Sequence, residues 1–337
     1  MRDILINQVA GFVVSLLTAN VDKNTDTVVH LQGDHIAVAL IDFTSQKYKA
    51  VHIINKKVVL APKMPIYFDL ASLTKPLTLA ASYLHYPEKF SDEDILLLNH
   101  RAGLPPVFKV EDNSDAWKNY VSSLKISESR RVRYSDTSAI RLMLNLEKKS
   151  FDIPRMSKDW LDGEIIHWKD LPGNSFCPKT GMRFQQPIQC VVHDPIAFKT
   201  HEFVTNAGLF GTIDGVSKTL LKLNSQKINF LKILSKRLPN AKNEFLMGFE
   251  VNKFLESKPG GKVHGNYIIG HRGYTGTSFW INTKLKMGIV ILTNTSSLEN
   301  VRNHTAIVDS KNELRQKISD FVWRKYSTIP FSQRIFR

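Results

Sequence analysis

A serine and a lysine three residues apart, Ser72-Leu73-Thr74-Lys75, stand between Phe68-Asp69-Leu70-Ala71 and Pro76-Leu77-Thr78. Positions three apart share one face of a helix. A serine hydroxyl attacks poorly until a neighbour accepts its proton. A lysine one turn later can accept that proton, or hold its own beside the developing alkoxide. A second copy of the spacing, Ser122-Ser123-Leu124-Lys125, lacks those flanks.

Two further triplets complement the first. In Tyr134-Ser135-Asp136 the phenol is a candidate base or proton relay in a cationic site. The nearer Tyr67-Phe68-Asp69 lies too close to Ser72 to form a separate cleft wall. His271-Arg272-Gly273 precedes Tyr274-Thr275-Gly276-Thr277-Ser278. A strand there can lend one backbone N–H to an oxyanion hole, the other coming from the serine itself. Gly273 would let substrate approach the backbone. Lys179-Thr180-Gly181 competes for this role, but Pro178 and the residues that follow read as loop.

In this order the motifs resemble those of the serine β-lactamase and penicillin-binding-protein family, which are Ser-x-x-Lys, Tyr-x-Asn and Lys-Thr-Gly. They are most similar to its class C-like branch of D-alanyl-D-alanine carboxypeptidases and esterases. That branch writes the third motif His-x-Gly and the second Tyr-Ser-Asn or Tyr-Ser-Asp. Longer stretches are similar too: Phe68 to Pro76, Leu97-Leu98-Asn99-His100-Arg101-Ala102-Gly103-Leu104-Pro105, Val192-His193-Asp194-Pro195, Ala207 to Thr212, and Gly270 to Ser278.

The resemblance implies an acyl-enzyme on Ser72, with Lys75 as its proton partner. Tyr134 becomes the base, or the acid toward the leaving group, and His271 takes the third motif's cation position. The N–H groups of Ser72 and Tyr274 would form the oxyanion hole. Asp136, Arg272 and Gly273 would contact substrate, Arg272 meeting a substrate carboxylate in bidentate fashion. The implied partner is a small molecule or peptide: a D-Ala-D-Ala-type cell-wall peptide, a β-lactam or an ester. Neither metal nor cofactor is needed.

Such residues need a frame. Ile4 to Ala19 reads as a packed N-terminal helix, interrupted by Asn7 and Gln8 and lacking a clean leader-peptide pattern. Ile36 to Phe43, Ala50 to Ile54 and Lys56 to Leu60 read as strands. A helical pattern runs from Ser72 to about Tyr86, and Ser91-Asp92-Glu93-Asp94 opens another helix with a capping-box signature. Strands return at Tyr267 to Ile269, Ser278 to Ile281 and Met287 to Leu292, before an amphipathic helix from Lys311 to Trp323. The expected fold is α+β: an antiparallel sheet built from residues 1–65 and 203–337, with a mostly helical or irregular domain, residues 66–202, carrying Ser72 and Tyr134.

Bulk properties narrow the function classes. The chain of 337 residues is 42% hydrophobic and 23% charged, ordinary for a globular protein. A net charge of +15 favours anionic partners. Its lysines and arginines are scattered, however, the densest run being Arg130-Arg131-Val132-Arg133. No nucleic-acid-binding signature accompanies them, so a generally basic surface is expected rather than a nucleic-acid interface. No stretch reads as a membrane span. Without a clear leader a cytoplasmic location is favoured, a periplasmic one being the alternative. The two cysteines, Cys177 and Cys190, are too few for a disulfide framework. With His193 and His201 they also admit a zinc reading, at a spacing that matches no familiar module.

Overall fold

The computed structural model describes residues 4–19, 35–110, 116–129, 131–225, 228–297 and 304–328. Arg130, part of the densest basic run, lies outside them.

Eight antiparallel strands form the central sheet. They are β1 (His35–Asp42), β2 (Lys47–Ile54), β3 (Lys57–Val59), β4 (Phe245–Leu246), β5 (Phe249–Val251), β6 (Ile268–Arg272), β7 (Ser278–Asn282) and β8 (Met287–Thr293). Their order is β3-β2-β1-β8-β7-β6-β5-β4. The two ends of the chain therefore meet in mid-sheet, where β1 pairs with β8 from Ile36 opposite Thr293 to Asp42 opposite Met287.

Helices cover both faces, which is why the inner strands read as continuous apolar runs. Side chains alternate between the faces. Ile36, Val38 and Leu40 of β1, with Ile268 and Trp280, pack against Val9 and Val13 of the helix Ile4–Ala19 and against Leu314, Ile318 and Val322 of the helix His304–Thr328. Ala37, Ala39 and Ile41, with Ile269, Phe279 and Ile281, face the helices Ile213–Leu223 and Phe230–Arg237. Among the described residues no helix is long and apolar enough to cross a membrane.

A second apolar core lies outside the sheet. Leu97 and Leu98 of the helix Asp92–Leu98 pack with Trp117, Val121, Ile140 and Met143. Ser91 and Asp94 form the expected capping box. The segment around Ser72 straddles the two cores: Phe68, Leu70, Leu73 and Leu77 join the sheet side, Tyr67 and Leu79 the helical side.

Two expectations change here. Cys177 and Cys190 form a disulfide across a span of 13 residues, which removes both from any zinc set. The bridge brackets a hairpin of Gly181–Arg183 and Gln186–Ile188, where a loop was expected. Residues Phe184 and Gln185 at its tip adopt positive φ, a turn conformation that strand propensities do not report.

Candidate active site

The first motif is built on a bend. After the short strand Phe68–Asp69, Ala71 adopts φ +47°, an uncommon conformation for a residue with a Cβ. The Asp69 carboxylate supports it, accepting the Ala71 N–H at 2.8 Å and the His193 N–H at 2.7 Å. The chain then winds through a 3-10 turn, Ala71–Leu73, into a π-turn, Pro76–Ala80, and an α-turn, Ala81–His85. Pro76 sits at the first helical position, where its missing N–H costs nothing. Ser72 and Lys75 share one side of this winding, and Lys75 Nζ donates to Ser72 Oγ at 2.9 Å. The second Ser-x-x-Lys has no such geometry, because its helix ends at Ser123, before Lys125.

The second motif opens the helix Asp136–Lys148, with Ser135 as the N-cap accepting the Ser138 N–H at 2.9 Å. Ser135 Oγ donates to Pro105 O and the Asp136 N–H donates to Pro106 O, both at 2.7 Å. The Leu104-Pro105-Pro106 segment thus fixes the helix start that carries Asp136 to Lys75. Asp136 Oδ1 reaches Lys75 Nζ at 2.6 Å, as an ion pair with side chains only 4% and 17% exposed. The Tyr134 phenol lies against the same ammonium, with Lys75 Nζ 4.9 Å from its ring centroid, while the outer part of its ring stays open to solvent.

The third motif is the turn from β6 into β7. Thr275 Oγ1 donates to Asp69 O at 2.7 Å and Thr277 Oγ1 to Leu70 O at 3.1 Å, which stitches the turn to the nucleophile segment. Gly273 is needed at the seam, since a Cβ there would lie 2.7 Å from Leu70 O and 2.1 Å from Thr277 Oγ1. Arg315 donates to Gly273 O at 2.7 Å. That carbonyl shares a peptide unit with the Tyr274 N–H, so the guanidinium orients and polarises this donor. Lys311 donates to Tyr274 O at 2.7 Å, and burial lowers its ammonium to about 7.

Charge within the cluster is set by burial and pairing. Burial opposes a charge on Lys75, but Asp136 and the neighbouring phenol outweigh it, and the lysine pKa is raised. Its three N–H bonds have one acceptor each: Ser72 Oγ at 2.9 Å, Asn206 O at 2.8 Å and Asp136 Oδ1 at 2.6 Å. Burial pushes the Tyr134 phenol up to about 12 against the pull of Lys75. At neutral pH the resting site therefore holds an ammonium and a neutral phenol. Burial also raises Asp69 to about 7, against the two N–H bonds it accepts.

Two of the expected substrate contacts, Asp136 and Arg272, are placed differently, and the expected cation, His271, is uncharged. Asp136 is engaged with Lys75, the carboxylate at the helix start drawn to the buried ammonium beside it. Arg272 lies opposite Ser278, one residue out of phase with His271, so strand alternation turns it to the sheet face under the C-terminal helix. There its Nε donates to Glu250 at 2.7 Å and Nη1 to Asn312 at 3.5 Å. His271 does sit on the cleft face, its ring centroid 6.1 Å from that of Tyr134. Burial, with Lys75 next in weight, holds its pKa well below the usual histidine range, so it is a neutral imidazole rather than a cation.

Sequence reasoning assigned no role to three residues that complete the site. Asn206 offers a backbone carbonyl, which carries no side-chain signature. His100 and Phe245 wall the phenol: the His100 ring lies 4.6 Å from both Tyr134 and Phe245. His100 Nδ1 accepts the Ser135 N–H at 3.2 Å. The similarity of Leu97 to Pro105 to a family stretch pointed to His100; nothing in the sequence pointed to Phe245.

Serine, ammonium, phenol and turn thus gather in one cluster. Similarity to solved structures agrees. A class C β-lactamase from Rhodobacter sphaeroides matches with TM-score 0.57 at 14% identity, over 91% of this chain and 98% of that one. A β-lactamase from Sulfitobacter sp. EE-36 matches with TM-score 0.59 at 14% identity, over 95% and 99%. An octameric penicillin-binding protein homologue from Pyrococcus abyssi matches with TM-score 0.60 at 12% identity, over 86% and 74%. No protein-family model and no curated protein matches the chain. The chain has the serine β-lactamase and penicillin-binding-protein fold, in its mixed helix and antiparallel-sheet form.

Proposed function

We propose that this chain is a serine hydrolase that forms an acyl-enzyme on Ser72, with D-Ala-D-Ala-type peptides, β-lactams or small esters as its substrate classes. One observation carries the reading: Ser72 Oγ is held at 2.9 Å by the Lys75 ammonium, which stands 4.9 Å from the centre of the Tyr134 ring. Support comes too from the turn that carries Tyr274, whose Thr275 and Thr277 hydroxyls donate to Asp69 O and Leu70 O just before Ser72.

Ser72 Oγ attacks the substrate carbonyl carbon while its proton passes to Lys75, which hands one of its own to the Asp136 carboxylate. The oxyanion forms against the N–H groups of Ser72 and Tyr274. On collapse the leaving group takes the Tyr134 proton and departs. Lys75 returns a proton to the phenol, and Asp136 returns one to Lys75. Water then releases the acyl group through the same relay in reverse.

The test is intact-mass analysis after incubation with a penicillin and with an activated ester. A mass increase on the native protein, absent in Ser72→Ala, is expected. Failure of both reagents, and of a fluorophosphonate, to modify Ser72 overturns the reading. That result would favour the alternative of a catalytically weak protein with a binding role, for which the closed Lys75–Asp136 pair is the supporting observation.

The Cys177–Cys190 disulfide supports the periplasmic alternative for location, since disulfides persist in oxidising compartments.

A further inference from the structure

Away from Ser72, the β3 edge of the sheet carries a groove of about 680 Å³. Tyr48, Ala50 and His52 of β2 stand opposite Ile41, Ala39 and Ala37 of β1, so they share the sheet face that meets the helix Ile213–Leu223. The β1 residues are wholly covered there. The three β2 residues instead line the groove, together with the loop from Leu60 to Ile66 and the start of that helix. None of its lining residues belongs to the Ser72 cluster.

The polar groups of the groove are not balanced within the fold. His52 is only 5% exposed, lines the groove, and finds no hydrogen-bond partner among the described residues. Burial lowers its pKa against the pull of Asp214, so it is a neutral imidazole at pH 7, with one bare nitrogen to accept a hydrogen bond. Glu164 is already engaged, since Lys218 donates to it at 2.8 Å and Thr212 Oγ1 donates to its other oxygen. Asp214 is not. It lies in the first turn of the helix and has no ion pair among the described residues. Burial and this carboxylate both raise the Tyr48 phenol, which therefore keeps its proton and adds no charge. The buried side of the groove thus holds a carboxylate without a counter-ion and an imidazole without a partner. The outer side is apolar, with Leu60 and Met64 exposed.

We propose that this groove is a second binding site, for a small organic cation: an ammonium or guanidinium head on an apolar body. The head pairs with Asp214 and gives an N–H to His52, and the body covers Leu60 and Met64. A partly desolvated carboxylate attracts a cation more strongly than one in open water. The volume is that of a small-molecule pocket, an apolar wall with a few convergent polar groups.

Calorimetry on the full native chain compares phenethylamine with its neutral and anionic counterparts, phenethyl alcohol and hydrocinnamate. The amine is expected to bind saturably and about tenfold more tightly than the alcohol, the worth of one hydrogen bond to a charged group. The hydrocinnamate arm asks whether Lys49 and Lys63, which also line the groove, choose an anion instead. Asp214→Asn should bring amine and alcohol to within about twofold, and His52→Leu should weaken the amine about tenfold. Asp214→Asn alters a half-buried surface residue, and it decides the matter where His52→Leu does not fold. No saturable binding of the amine, equal binding of the alcohol, tighter binding of hydrocinnamate, or an amine advantage that survives Asp214→Asn overturns the proposal. No arm depends on Ser72, so the outcome is independent of the hydrolase reading.

Discussion

Asp136 Oδ1 stands 2.6 Å from Lys75 Nζ, and this contact fixes the charge of the whole nucleophilic cluster. Asparagine in its place would accept a hydrogen bond without supplying an anion. In Asp136→Asn the burial of Lys75 is no longer outweighed, and its pKa falls. The rate of Ser72 labelling should then gain a limb that rises with pH below about 10, the ordinary lysine range. The native protein should lack it. Thermal unfolding should show a loss of about 2 kcal/mol, the scale of a hydrogen bond to a charged group.

Asp69 links pH to the bend beneath the nucleophile. Its carboxyl is raised to about 7 in the fold. The stability it contributes is therefore fully present below the unfolded value, about 4, and is lost as pH rises through about 7. Labelling of Ser72 should run the other way. Only the ionised carboxylate accepts the Ala71 and His193 N–H bonds with both oxygens. Labelling rates between pH 5 and 8 should rise with a midpoint near 7, and Asp69→Asn should flatten the profile at a lower rate.

Gly273 tests the seam between strand and nucleophile. An alanine Cβ would meet Leu70 O at 2.7 Å, and a backbone atom cannot yield as a side chain does. Gly273→Ala should push the turn, and with it the Tyr274 N–H, away from Ser72. A loss of about 100-fold in labelling rate is expected, the cost of a misplaced oxyanion donor. Adding Thr277→Ala relieves the contact with Thr277 Oγ1 but not that with Leu70 O, so rescue should be incomplete.

Arg272 should matter to stability through Glu250, a side chain only 3% exposed. Arg272→Ala leaves that carboxylate buried without its partner, a loss of about 3 kcal/mol in chemical denaturation. Arg272→Ala with Glu250→Gln should recover most of it, because the stranded charge is gone.

Much of the site was legible because its chemistry is local. Ser72 with Lys75, Tyr134 with Ser135 as helix cap, and Gly273 before a threonine-rich turn are short patterns whose spacing carries the geometry. Six of the eight sheet strands were legible from short β-rich apolar runs, while the short Phe245–Leu246 and Phe249–Val251, with too few residues to show a pattern, were not. What failed depended on contacts between distant stretches. The charge of His271 follows from burial against Lys75 and Tyr134, which no window around residue 271 contains. The pairing of Cys177 with Cys190 depends on the hairpin between them, and its positive-φ tip at Phe184 and Gln185 is not written in residue type. The facing of Arg272 was within reach: alternation along β6 puts it on the side opposite His271.

The Cys177–Cys190 bridge ties the base of the hairpin that leads to His193, whose N–H is bonded to Asp69 beneath Ser72. A crosslink closing a loop of this size restrains the unfolded chain by about 3 kcal/mol. Thiol reagents, or production in a reducing host, would untie the floor of the nucleophile along with the hairpin. Two preparations of identical sequence and mass to within two hydrogens would then differ in how firmly they grip the same serine.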